Sequence, residues 1–201
     1  MDGALLGRAT TATSFGRNTR PGHWTMLGGI LVVAILLPVV ALDAQGLWTD
    51  EALTIVLSNW SVSDMLLQPT DPTPALYYIF HKLLIPANAP LEVVRSISVA
   101  TGVMSVGLIY LLGRLAFRPA GGLLAAALLA VWTAHVDYSQ EARAYSLLFF
   151  LTLLASLGLV YYVQLLRQPA DPIGTTDRGR RRLALALFCV GTILSFYTHL
   201  V

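Results

Sequence analysis

The chain has 201 residues, 56% of them hydrophobic and only 12% charged, with a net charge of +2 and a mean hydropathy of +0.67. Charged residues make up about 25% of a typical soluble domain. This composition therefore excludes a soluble globule, a disordered chain and a nucleic-acid binder, and leaves an all-α polytopic membrane protein. The single cysteine, Cys189, excludes a disulfide framework and a cysteine-based zinc site.

Residues 1–23 are polar and small, carry Arg8, Arg17 and Arg20, and read as a disordered cytoplasmic tail. Residues 24–42 form an uncharged apolar run. At about 1.5 Å per residue it is long enough for roughly 30 Å of hydrocarbon. Val39-Val40-Ala41 resembles a signal-peptidase site, but signal cores are usually only about 7–15 residues, so the run reads as an uncleaved anchor. Residues 43–73 form an acidic loop with Asp43, Asp50, Glu51, Asp64 and Asp71 and no Lys or Arg. Apolar segments follow at 74–86, 96–113, 119–136, 144–166 and 183–201. Between the last two lies a basic loop, 167–182, with Arg167, Arg178, Arg180, Arg181 and Arg182.

The positive-inside rule puts the tail and the basic loop in the cytoplasm, so an even number of crossings lies between them. The segment 74–86 is bounded by prolines and contains His81 and Lys82. It is too short to cross and reads as an interfacial or re-entrant helix. With that assignment the acidic loop, residues 137–143 and His199 all emerge on the outer face. The small-residue patches at Gly102, Gly107, Gly121-Gly122 and Ala125 to Ala127 read as helix-packing sites.

Three clusters gather the polar groups. Trp48-Thr49-Asp50-Glu51 sets two adjacent carboxylates just beyond the first membrane helix. The ordinary reading is a solvated loop with an interface anchor; the functional one is a general base, or a ligand for metal or substrate. Asp71-Pro72-Thr73-Pro74-Ala75-Leu76-Tyr77-Tyr78 reads as a capped, proline-fixed helix start that also holds Asp71 near the interface. Tyr138-Ser139-Gln140-Glu141-Ala142-Arg143-Ala144-Tyr145 is either a short loop or a polar cluster whose Arg143 grips phosphate. His199 ends the last helix and is a structural residue or, less simply, a metal ligand.

The order of these clusters, closed by Tyr197-Thr198-His199, resembles the GT-C membrane glycosyltransferases, in the branch similar to dolichyl-phosphate-mannose protein mannosyltransferases. The resemblance covers residues 24–201, and the first and third clusters carry it together. Relatives often have Pro-Pro before Leu-Tyr-Tyr, where this chain has Pro74-Ala75. Members of that family are longer, so the chain resembles an N-terminal portion of one. The resemblance implies a GT-C fold and a sugar carried on a polyprenyl phosphate. It implies transfer of that sugar, with inversion, to an acceptor protein, lipid or glycan on the outer face of a cell membrane. Asp50 would be the general base, with Glu51 beside it. Asp71, Tyr77, Lys82, Gln140, Glu141 and Arg143 would line the substrate site, Arg143 or Lys82 meeting the leaving phosphate. Some relatives use a divalent metal, for which His199 is the candidate here. The competing reading is a non-catalytic polytopic protein, transporter-like or an inactive fragment. A transporter would place ionisable groups within its helix cores, and this chain gathers them at one face.

Overall fold

A computed structural model describes residues 21–40, 42, 46–67, 75–167 and 175–199. Among these residues the chain is all helical, without a strand. The elements are α1 (Pro21–Val40), α2 (Thr49–Ser58), α3 (Val62–Leu67), α4 (Leu76–Leu84), α5 (Leu91–Ala116), α6 (Pro119–Val131), α7 (Thr133–Gln140), α8 (Ala144–Arg167) and α9 (Thr175–Thr198).

By length and composition, α1, α5, α8 and Arg178–Thr198 of α9 can each cross a membrane. α6 and α7, bent by 59° across a short break, make a fifth crossing if the pair is one span. Trp132, at φ −72° and ψ 117°, is the extended residue that breaks the run expected to be continuous over 119–136. Only 11% of the apolar stretch of α1 is buried, and Val32, Ile35, Leu36 and Val39 lie exposed along it. Helices that are apolar on their exposed sides suit lipid rather than water. The molecule therefore has the helices that a multi-pass membrane protein requires. α4 has nine residues, about 14 Å of rise, and is too short to join them.

The acidic segment expected as a loop contains two helices. α2 buries Glu51, Thr54, Leu57 and Ser58 along one face, a spacing of three and four residues that makes one helical stripe. Asp50 and Glu51 occupy its first turn, where the helix dipole favours negative charge. The basic loop is also shorter than expected. α9 begins at Thr175, so Arg178, Arg180, Arg181 and Arg182 stand on its first turns. The tail expected over 1–23 lies outside the described residues up to residue 20, and α1 starts at Pro21.

Close helix contacts occur at small residues. A Cβ on Gly158 of α8 would lie 2.5 Å from the Phe188 nitrogen of α9, and one on Gly191 would lie 2.8 Å from the Ala155 nitrogen. A Cβ on Gly122 would lie 2.5 Å from the Tyr110 oxygen, which joins α6 to α5. Gly102 meets Ser139 of α7 in the same way. Gly107, expected among the packing residues, faces open space.

The contacts at the helix ends show that α1 runs opposite to α5, and that α5 and α8 run in the same direction with α6 and α7 returning between them. At one end His23 Nε2 lies 2.7 Å from Tyr110 Oη, Gln164 Nε2 donates to the Leu115 carbonyl, and Arg114 lies over the Trp24 ring. At the other end Gln140 Nε2 donates to the Pro38 carbonyl at 3.0 Å. α2, the start of α5, the bend after α7 and the end of α9 meet there too.

Candidate functional site

The anchor of that second end is Glu51. Its Oε1 accepts from Arg95 Nε at 2.8 Å and from the Ala142 backbone N–H at 2.8 Å. Its Oε2 accepts from Arg95 Nη2 at 2.7 Å and from the Trp48 N–H at 3.3 Å. Arg95 also donates to the Leu42 carbonyl, and to that of Gly46 at 3.2 Å. Both side chains are 1% exposed. One ion pair thus ties α2, α5, the segment after α1 and the bend at 141–143 together. Burial disfavours the Glu51 charge. The Arg95 bonds, the two backbone donors and the Arg95 charge outweigh it, and hold the carboxyl below its ordinary range.

Asp50, one residue earlier, points elsewhere. Successive residues on a helix are turned by roughly 100°, and the Asp50 side chain is 66% exposed. Its Oδ2 lies 2.8 Å from Arg143 Nη1. Arg143 Nη2 in turn donates to Tyr145 Oη at 3.2 Å, with the guanidinium carbon 5.3 Å from the Tyr145 ring centroid. The Tyr145 ring meets His199 at 5.8 Å and Tyr138 at 5.1 Å between centroids. Asp50, Arg143, Tyr145, Tyr138 and His199 therefore form one partly open cluster, assembled from α2, α7, α8 and the residue after α9. Glu141 borders it. Burial first, then the Glu51 charge, push the Glu141 carboxyl above its ordinary range; Arg143 opposes this.

The other predicted residues take different positions. Tyr77 is buried and its Oη lies 3.1 Å from Ser98 Oγ, which donates to the Arg143 carbonyl at 3.4 Å. It stands beneath the cluster as a support and presents no free face to a substrate; burial, its largest influence, drives its phenol above the usual range. Gln140 is buried and spends its amide on Pro38, so it joins helices. Lys82 is not brought to Asp50. Its Nζ lies 3.4 Å from the Ser58 carbonyl, at the opposite end of α2. Asp71 lies outside the described residues. No group of three His, Cys, Asp or Glu side chains placed to hold a metal occurs among the described residues; His199 stands against the Tyr145 ring.

Arg95 is the residue that sequence reasoning missed. Its signal is an arginine one turn inside a 26-residue helix whose other charged residues, Glu92 and Arg114, stand only in its end turns. An arginine in that setting needs a buried acidic partner or a wet cavity.

The cluster supplies an accessible carboxylate and a guanidinium steadied by an aromatic ring. The first can take a proton, and the second can meet phosphate oxygens with its planar fork. No protein-family model, curated protein or solved structure matches the chain.

Proposed function

We propose that the chain is a GT-C-like glycosyltransferase. It moves a sugar from a polyprenyl-phosphate donor to an acceptor hydroxyl at the outer face of the membrane. The observation that carries this reading is the 2.8 Å pairing of exposed Asp50 with Arg143 at the end of the molecule where the sequence clusters meet. The acceptor hydroxyl passes its proton to the Asp50 carboxylate as its oxygen attacks the anomeric carbon. The bond from that carbon to the phosphate oxygen breaks, the anomeric centre inverts, and polyprenyl phosphate leaves. Arg143 meets the charge that develops on the leaving phosphate. Glu51 and Arg95 hold the frame and touch no reacting atom.

The test is transfer of labelled sugar from polyprenyl-phosphate donors by the protein in proteoliposomes. Asp50→Asn is expected to lower turnover by roughly 10²–10⁴-fold and to keep donor binding. Arg143→Lys is expected to weaken donor use, because the bidentate fork is lost. Normal turnover in Asp50→Asn would overturn the assignment. A non-catalytic membrane protein is the second reading, and the mutual pairing of the polar groups favours it. Absence of transfer from every polyprenyl-phosphate sugar offered would make it the better account.

A further inference from the structure

A separate cavity of about 200 Å³ lies where the end of α2 meets α4 and the start of α5. It is smaller than the roughly 300–1,000 Å³ of sites for drug-sized ligands, so it suits one small group. Ser58, Asn59, His81 and Lys82 form its polar side, and Ile85 and Val94 stand among its apolar lining. No carboxylate lines it among the described residues. Lys82 is exposed and makes one long bond, 3.4 Å, to the Ser58 carbonyl; an ammonium has three donors. His81 is 4% exposed, and its buried Nε2 has no hydrogen-bond partner among the described residues. A buried polar atom left unpaired costs free energy that a ligand can return. Asn59 gives one amide N–H to the Ile55 carbonyl at 2.9 Å and keeps the second.

A cation with no carboxylate beside it among the described residues, next to spare N–H donors, selects an anion with several acceptor oxygens. The two helices that supply the cavity's polar side also carry exposed apolar side chains: Val56 on α2, and Leu83 and Leu84 on α4. They suit a ligand whose charged group is attached to an apolar chain. We infer that this cavity binds the phosphate of an anionic lipid through Lys82 and His81. The site is distinct from the Asp50–Arg143 cluster, which begins at the other end of α2, about 12 Å away by helix rise. It does not depend on sugar transfer.

The experiment measures binding of labelled phosphatidate to the full chain in neutral detergent micelles, with inorganic phosphate and phosphatidylcholine as comparisons. Lys82→Met is expected to weaken phosphatidate binding by about tenfold or more, as for loss of one charged hydrogen bond, and Lys82→Arg to restore most of it. Arg143→Ala is expected to leave it unchanged. Wild-type binding by Lys82→Met would overturn the inference, as would equal binding of phosphatidylcholine. Displacement of the lipid by an equal concentration of inorganic phosphate would overturn the lipid source. Loss of binding in Arg143→Ala would move the lipid to the Asp50 cluster. Because sugar transfer is read separately, failure here leaves the proposed activity standing, and the reverse.

Discussion

Asp50 and Glu51 show how one residue of separation divides two roles. The turn of the helix sends Glu51 into the protein against Arg95 and leaves Asp50 in the open against Arg143. Removing one member of a buried pair leaves the other uncompensated, at a cost of about 3–5 kcal/mol. Glu51→Gln is therefore expected to lower stability by that order in thermal unfolding, whereas Asp50→Asn shifts it by no more than about 0.5 kcal/mol, as exposed substitutions do. The pH dependence follows from the Glu51 carboxyl being held below its ordinary range. A depressed carboxyl contributes stability in full above its unfolded value, about 4.3, and loses it as pH falls through the lower folded value. The stability gap between wild type and Glu51→Gln should accordingly narrow only at the acid end of a series from neutral pH downward. A gap that stayed constant to strongly acidic pH would show that the Glu51 charge is not its source. The paired acids were legible in the sequence as a candidate site. Which of them is buried was not, because Arg95 is 44 residues away and the Ala142 N–H is 91 away.

At the scale of elements, the long apolar helices were legible because lipid demands length and continuous hydrophobicity, which a linear run of residues displays directly. The short amphipathic α2 was not, since its acidic first turn and polar buried face hide the helical stripe. The start of α9 was also obscured, because a dense run of arginines reads as a loop although arginine is a good helix former. The packing glycines separate into those that matter and those that do not. Gly158→Val and Gly191→Val each drive a side chain into the backbone of the facing helix. Each is expected to cost about 1–3 kcal/mol or more, as overpacked cores do, and to separate α8 from α9. Gly107 faces open space within α5, so Gly107→Ala is expected to be neutral or to stabilise by up to about 1 kcal/mol through helix propensity. Thermal unfolding of the three variants in one detergent checks this ordering. Destabilisation by Gly107→Ala equal to that of Gly158→Val would refute it.

For the whole molecule, the alternating helices bring Asp50, Arg143 and His199 to one end and His23 and Arg114 to the other. The arginines of α9 lie at its start, away from His199. With the positive-inside rule, this arrangement leads us to expect Asp50 outside and Arg178 inside. In a Cys189→Ser background, a membrane-impermeant thiol reagent on intact cells is expected to label Asp50→Cys and spare Arg178→Cys. Labelling of both would refute this topology. The long apolar runs of α1, α5, α8 and α9 were visible in the sequence alone, because they depend on local composition and on the thickness of a bilayer; the break at Trp132 and the early start of α9 were not. The tertiary structure alone decided that Glu51 is sealed by Arg95, that Asp50 meets Arg143, and that Lys82 belongs to a different cavity. Those partners are separated by tens of residues, and only the close approach of helices at small side chains sets which of them lie within hydrogen-bond reach.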